Sequence, residues 1–316
     1  MYFFESIHFL SVDQNGNVAG NEKLIDEINN FEPNVFASKY SGIPIKSKVG
    51  KDEYLKNVNS IRQHIIDGDV YEMNYCVEFF AENVIIDPSN IYAELIKKSP
   101  TPFASFFKYH DQYLLCASPE RFLKKQNEKV FSQPIKGTVR RGVTLDEDEK
   151  MKAELLNSEK ERAENLMIVD LVRNDLARSS KTGSVKVDEL FGIYSFKNIH
   201  QMISTVSSEV KSDMDCVDII KNAFPMGSMT GAPKIKSMEL IEKYETTQRG
   251  LYSGSVGYIS GDGDFDLNVV IRSIQYNSAT KYLSFEVGSA ITFDSNPEHE
   301  YEECLLKAKT IVDVLS

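Results

Sequence analysis

Pro134-Ile135-Lys136-Gly137-Thr138 is the stretch around which the chain reads. It follows a short strand-like run, Val130 and Phe131, and precedes a very polar helix that starts near Leu145. Proline sets φ ahead of the lysine, and glycine behind it lets the backbone turn tightly or approach a ligand closely. A lysine held this way is presented at one place. When desolvated near another cation it can lose its proton and attack an electrophilic carbon. Alone, the same five residues describe an ordinary loop lysine in a turn. The company they keep downstream decides between the two.

At 316 residues, with 41% hydrophobic, 10% aromatic and 26% charged residues, the chain can bury a large core and reads as a soluble globular protein. A net charge of -11 argues against general nucleic-acid binding and against adhesion to anionic membranes. An anionic substrate would therefore need a site that reverses the field locally. No basic, apolar leader opens the sequence and no long apolar run crosses it. Cys76, Cys116, Cys216 and Cys304 are widely spaced with no CxxC pair, which suggests reduced, buried thiols in a cytoplasm and no cysteine zinc site.

Working outward, Met1–Val12 reads as a strand entering a turn at Asp13-Gln14-Asn15-Gly16, Glu22–Phe31 as a short helix, and Ser41-Gly42-Ile43-Pro44 as a connector. After Gly50 the spacing of Tyr54, Leu55, Val58, Ile61, Ile65 and Ile66 predicts a helix that ends by Gly68. Val70–Phe80, Phe103–Tyr109 and Gln112–Ala117 read as strands, and Pro88 opens a helix to Lys98. The third of these strands ends in Ser118-Pro119-Glu120-Arg121. Glu120 there either points into a cleft, where desolvation would suit it to general-acid work, or pairs with Arg121.

One long helix is expected over Glu147–Arg178, with Asp170, Arg173, Asn174 and Asp175 interrupting an apolar run, so that some of them must be buried and paired. Glu161 and Glu164 share a face at i, i+3, and Glu300 and Glu303 repeat the device on the last helix. Two such pairs could hold one Mg²⁺ through oxygen ligands, or could be solvated helix faces, Glu303 and Lys307 making a surface pair. A glycine-rich stretch, Gly227-Ser-Met-Thr-Gly231-Ala-Pro-Lys234, leads into a helix over Ile235–Tyr244, but its lysine placement is not that of a P-loop. Ser253–Ser260, Leu267–Tyr276 and Lys281–Val287 read as the last strands. Arg272 inside the second of these wants a carboxylate partner, in the protein or on a ligand. Gly288-Ser289-Ala290-Ile291-Thr292 then offers a backbone cradle.

Together these residues resemble the chorismate-utilising enzymes, and within that family the aminodeoxychorismate synthase branch. The motifs are SPER at 118–121, PIKGT at 134–138, the run 161–178, GSMTGAPK at 227–234, IRS at 271–273 and EYEECLLKA at 300–308. The resemblance implies an α/β (α+β) fold, two antiparallel β-sheets packed as a sandwich with flanking helices. It also implies a single chorismate-binding domain, with 1–49 a short N-terminal extension and 50–316 the catalytic core.

The implied chemistry converts chorismate and ammonia to 4-amino-4-deoxychorismate. Lys136 attacks C2 while the C4 hydroxyl leaves with a proton from Glu120, and ammonia then adds at C4 and expels the lysine. By the same resemblance Glu164 and Glu303 hold Mg²⁺, with Glu161 and Glu300 nearby. Thr138, Lys234, Tyr252, Arg272, Gly288, Ser289 and Ala290 receive the substrate, and His200 stands beside the reacting ring. A glutamine amidotransferase subunit is the expected ammonia source. Anthranilate synthases carry a small residue, usually alanine, in place of Lys136, and isochorismate and salicylate synthases carry their water-activating lysine where this chain has Glu72. The family has glutamine at that place. Larger relatives bind tryptophan in an N-terminal half, for which the first ~50 residues are too few, so tryptophan inhibition is not expected.

Overall fold

Alternation along one strand sets the use of the larger core. In Glu72–Ala81 the side chains of Met73, Tyr75, Val77 and Ala81 enter a hydrophobic cluster, while Asn74, Cys76 and Glu78 turn to the opposite face. Apolar residues face helices, and polar residues face the space where the site will form. The computed structural model describes residues 4–13, 15–30 and 42–316. The chain divides into two units, residues 1–39 and residues 40–316.

In the small unit, Leu10–Val12 pairs antiparallel with Val18–Gly20, and the Asp13 carboxylate accepts N–H bonds from Asn15 and Asn17 to close the turn. Helix Glu22–Asn29 follows, capped by Asn21. The strand is much shorter than expected, and Met1–Phe3, Gln14, Phe31 and Ser41 of the expected elements lie outside the described residues.

The large unit is built on two seven-stranded antiparallel sheets. The first runs Gly231–Ala232, Glu72–Ala81, Tyr282–Ile291, Ser273–Asn277, Gln112–Ser118, Phe103–Tyr109, with Lys46–Ser47 also on the second strand. Its apolar face is covered by helices Lys51–Ile66, Pro88–Lys98, Lys234–Tyr244 and Pro297–Leu315 through Tyr54, Val58, Ile61, Ile91, Leu95, Leu240, Cys304 and Ala308. Full burial of a side chain such as Phe285 or Ile61 contributes about 1.5–3 kcal/mol. The second sheet runs Lys186–Ser195, Ile199–Glu209, Lys129–Gln133, Arg121–Gln126, Phe265–Asn268, Gly257–Ile259, with Ile135–Arg140 also on Ile199–Glu209. Helices Glu159–Ser179 and Cys216–Ala223 cover it through Ile168, Val169, Val172, Ile219 and Ile220. The expected fold class is the one observed.

The chain passes between the sheets at two tight crossings. Ser118 ends a strand of the first sheet and Arg121 begins one of the second, leaving Pro119-Glu120 as the corner. Asn268 and Ser273 bracket the return corner, Val269–Arg272. The corners are tied together, since Val269 N–H donates to Glu120 O at 3.0 Å and Ala117 N–H to Arg272 O at 3.2 Å. The continuous strand expected over Leu267–Tyr276 is thus two strands in different sheets. The corner backbone turns at Arg272, which has φ +50°.

Other expectations are corrected. The helix expected over Glu147–Arg178 is two, Leu145–Asn157 and Glu159–Ser179. Ser158 ends the first in an extended conformation and caps the second through Glu161 N–H at 3.3 Å. Of the four polar residues in its apolar run only Asp175 is buried; Asp170 and Arg173 pair on the surface. Lys136 lies in strand Ile135–Arg140 and not in a loop. A register shift opposite Gln201 and Ile203 lets Gly137 take φ +87°. A Cβ on Gly137 would stand 3.0 Å from Glu161 Oε2 and from Leu155 Cδ1, so the glycine lets the helix carboxylates close on the strand. Gly288–Ile291, expected as a cradle after a strand, continues Tyr282–Ile291 and pairs with Glu72–Ala81.

Candidate active site

Between the sheets lies a cavity of about 660 Å³ whose lining includes Glu120, Lys136, Thr138, Glu161, Glu164, Tyr252, Arg272, Gly288, Ala290, Glu300 and Glu303. Strands, both corners and three helices contribute, so residues far apart in sequence converge on one space. Lys136 is nearly enclosed, and its Nζ donates to Glu72 Oε1 at 2.6 Å. Burial alone would push the lysine down, but Glu72, with Glu164 and Glu120, outweighs it and holds Lys136 above its ordinary value. The Glu120 carboxyl is pushed up to about 7 by burial, against the restraint of the Ser228 hydroxyl, the Lys136 charge and the Ile135 N–H. A proton donor and a potential nucleophile therefore face the same space.

Arg272 enters from the return corner. Burial lowers its pKa, and among the described residues no carboxylate lies within ion-pair distance of it. The expected partner is thus not found among the described residues, and an unpaired guanidinium open to the cavity favours an anionic ligand. Gly288 sits against Glu72–Ala81 so closely that a Cβ would stand 2.5 Å from Cys76 Sγ, and Tyr252 lies above the same cysteine with its hydroxyl 3.9 Å from Sγ. This end of the cavity has backbone exposed where a side chain would block it.

At the other end four carboxyl groups gather from two helices. Glu164, with Lys160 Nζ at 3.8 Å, is pushed up to about 7 by burial, with Lys136 opposing and Glu72 and Glu161 reinforcing. Glu303 goes the other way: burial would raise it, but Lys307 at 2.7 Å holds it low. Glu300 accepts from the Ser295 hydroxyl at 2.8 Å. Among the described residues no three acids, histidines or cysteines stand ready-made around a metal. The donor set nonetheless fits a hard divalent cation, because all the ligating atoms are carboxylate oxygens and their mutual repulsion is what a cation relieves. The lining counts six carboxyl groups, Glu120, Glu161, Glu164, Glu286, Glu300 and Glu303, against four cations, Lys136, Lys160, Arg272 and Lys307.

Residues 7–313 match the chorismate binding enzyme family. The chain belongs to that family. It is 41% identical over 309 residues to a probable chloroplastic aminodeoxychorismate synthase of Oryza sativa subsp. japonica, covering 97% of this chain and 33% of that protein. It is 39% identical over 258 residues to aminodeoxychorismate synthase component 1 of Bacillus subtilis (strain 168), covering 82% and 54%. The fold matches the crystal structure of anthranilate synthase component I from Streptococcus pneumoniae TIGR4 with a TM-score of 0.83 at 31% identity, covering 92% of this chain and 64% of that one. The chain spans between a third and about half of the length of the two relatives.

In this chorismate binding enzyme three of the residues assigned from sequence stand apart from the cavity lining. His200 is fully buried, bonded to Ser195 Oγ and Asp148 Oδ1, both at 2.9 Å, and Asp148 also holds Arg141. It ties its strand to helix Leu145–Asn157. The neighbours Ile199 and Gln201 line the cavity instead, because successive strand residues face opposite sides. Lys234 Nζ donates to Asp175 Oδ2 at 2.7 Å and to Ala223 O at 3.0 Å, away from the lining. Ser289 meets the Tyr54 hydroxyl at 3.4 Å on the helix-covered face. Polar lining residues not picked out from sequence include Asn74, Lys160, Gln201, Ser228 and Glu286. Asn74, Gln201 and Glu286 each keep a buried side-chain atom without a hydrogen-bond partner, and the alternation rule applied to their strands would have found all three.

Proposed function

We propose that this chain carries out the aminodeoxychorismate synthase reaction, replacing the C4 hydroxyl of chorismate by an amino group through a covalent adduct on Lys136. The observation that carries the reading is Lys136 itself, a buried lysine in the cavity wall with a neutralisable acid, Glu120, facing it. Arg272 and the open backbone at Gly288 would receive a substrate carboxylate, and Tyr252 and Thr138 would bound the ring. Glu120, protonated up to about pH 7, would give its proton to the departing hydroxyl while Lys136 forms a bond at C2. Ammonia would then add at C4 and release the lysine.

Glu164 and Glu303 are the residues proposed to hold Mg²⁺, with Glu161 and Glu300 supporting them, and Lys160 occupying the neighbouring space. When bound, the ion would supply positive charge to a substrate carboxylate. Ammonia is proposed to come from a glutamine amidotransferase partner, in keeping with the name "component 1" of the Bacillus subtilis relative. Residence in the cytoplasm belongs to the same proposal, resting on four free cysteines. No described helix is long and apolar enough to cross a membrane.

An anthranilate synthase would have no use for a buried lysine in this wall, and an isochorismate synthase would want a base free to reach water, whereas Glu72 is bound to Lys136. The test is incubation of the protein with chorismate, Mg²⁺ and ammonium at high pH, with products and intact protein read by mass spectrometry. The expected product is the 4-amino compound, with a chorismate-derived adduct on Lys136 when ammonium is withheld. Anthranilate or isochorismate as the sole product would overturn the reading.

A further inference from the structure

Among the described residues Glu72 is the one carboxylate paired with Lys136, and its surroundings are built to keep it there. It is fully buried, Oε1 lies 2.6 Å from Lys136 Nζ, and Oε2 has no hydrogen-bond partner. Its backbone is clamped by the glycine-rich stretch. Gly231–Ala232 pairs with Met73 and Glu72, Tyr71 N–H donates to Ala232 O at 2.7 Å, and a Cβ on Gly231 would stand 2.1 Å from Glu72 O. The same stretch presents Ser228 to Glu120. GSMTGAPK therefore supports a carboxyl on each side of the lysine. That explains Gly231 without any phosphate, because close backbone approach to Glu72 requires it, while Gly227 makes room for Leu171.

A buried ammonium is no nucleophile, and Lys136 must lose a proton before it attacks. Besides Glu72, the groups that act on its charge are Glu164 and Glu120. Glu120 is needed as an acid, and Glu164 belongs to the carboxylate cluster. We propose that Glu72 is the proton acceptor of Lys136, holding it as an ammonium in the resting site and taking its proton through Oε1 as the amine attacks.

The proposal rests on the covalent reading above, and its proton count closes. In the first half, Lys136 Nζ gives one proton to Glu72 and forms the C–N bond. The C–O bond breaks with its electron pair on oxygen, and that oxygen takes the Glu120 proton and leaves as water. Glu72 is then neutral, Glu120 ionised, and the adduct nitrogen cationic. In the second half ammonia forms the new C–N bond and yields a proton to Glu120. Lys136 departs with its electron pair and recovers the proton stored on Glu72. Both carboxyls return to their starting states and no outside base is consumed.

The experiment uses Glu72→Gln, which keeps shape but cannot accept the proton, and Glu72→Asp, which keeps the carboxylate but shortens its reach. The rate of adduct formation from chorismate without ammonium is followed by intact-protein mass spectrometry. Glu72→Gln is expected to be slower by about 10²–10⁴-fold, the usual worth of a general base, with Glu72→Asp between it and the wild type. Acetylation of Lys136 against pH, without substrate, is measured in parallel. Its midpoint should move down in Glu72→Gln, because a raising charge has been removed. The two readouts have opposite signs only if Glu72 takes the proton. A counter-ion alone would, once removed, leave more free amine and a faster adduct, and that result overturns the proposal. An unchanged acetylation midpoint overturns it too. If the wild type makes product with no adduct, the covalent reading fails and this inference falls with it; equal adduct rates in wild type and Glu72→Gln sink this inference alone.

Discussion

Glu120→Gln should make the protein less active and, above neutral pH, more stable. The carboxyl sits buried at the corner between the sheets and is pushed from 4.5 up to about 7. That rise corresponds to a linkage of ~3 kcal/mol. The sign follows from proton binding. Between about 4.5 and about 7 the folded protein holds a proton at Glu120 that the unfolded chain has released, so this contribution is full below the lower value and lost as pH rises through the upper one. At about pH 8 the native state carries a buried carboxylate at a cost of up to ~3 kcal/mol, which glutamine escapes. Denaturant melts at about pH 5 and pH 8 should therefore show Glu120→Gln gaining relative to wild type at the higher pH, with little difference at the lower. Adduct formation on Lys136 should fall by about 10²–10⁴-fold in the variant. In the wild type it should decline about tenfold per pH unit above about 7, a limb the variant lacks. A variant that keeps the wild-type rate and the declining limb, or that gains no stability at pH 8, would refute the assignment of Glu120 as a buried acid.

Lys136→Ala should abolish the intact-mass adduct and cut 4-amino product below about 1% of wild type, and a variant that aminates C4 normally would rule out covalent catalysis. Glu164→Gln and Glu303→Gln should each weaken Mg²⁺ binding more than Glu161→Gln or Glu300→Gln. Mg²⁺ and a non-reacting chorismate analogue should tighten each other by the same factor in calorimetric titrations, and an analogue affinity indifferent to EDTA would mark the four glutamates as a solvated face. Glu286, which burial and Glu245 push up to about 9, contributes stability that is lost as pH rises from about 4.5 through that value. Glu286→Gln should accordingly be more stable by at least ~1 kcal/mol above about pH 9, with a shallower decline from pH 5, as read by denaturant melts.

What the sequence makes legible here follows from the range of the forces involved. Local signals were readable: Pro88 opening a helix, strands Phe103–Tyr109 and Gln112–Ser118 around their turn, the apolar spacing of Lys51–Ile66. The break at Ser158 was readable too, since a serine three residues before Glu161 is a cap, but a continuous run of charge masked it. The corner at Val269–Arg272 was not. An apolar run with an arginine in it has the pattern of a buried strand, and only pairing partners distant in sequence decide that its two halves join different sheets. Register explains in the same way why two of the assigned residues stand off the lining. His200 and Ser289 were each one residue from a cavity position, and a shift of one inverts the face a strand residue shows.

The polar face of Glu72–Ala81 and its partner Tyr282–Ile291 shows why such a site resists reading from composition. Glu78 and Glu286 stand directly opposite on neighbouring strands, and burial with Glu245 keeps Glu286 from ionising until about 9. Asn74 and Cys76 continue the same row opposite Ala290 and Gly288. A strand chosen for stability alone would carry apolar side chains on both faces in a position buried between helices and a second sheet. Instead one face supplies the core and the other leaves buried polar atoms unpaired at Glu72, Asn74 and Glu286. Two of these three strand residues, Asn74 and Glu286, line the cavity, and the third holds Lys136. Unsatisfied groups collected along one face of two central strands mark a surface kept ready for a polar ligand. The apolar face of the same strands supplies the stability that offsets their cost.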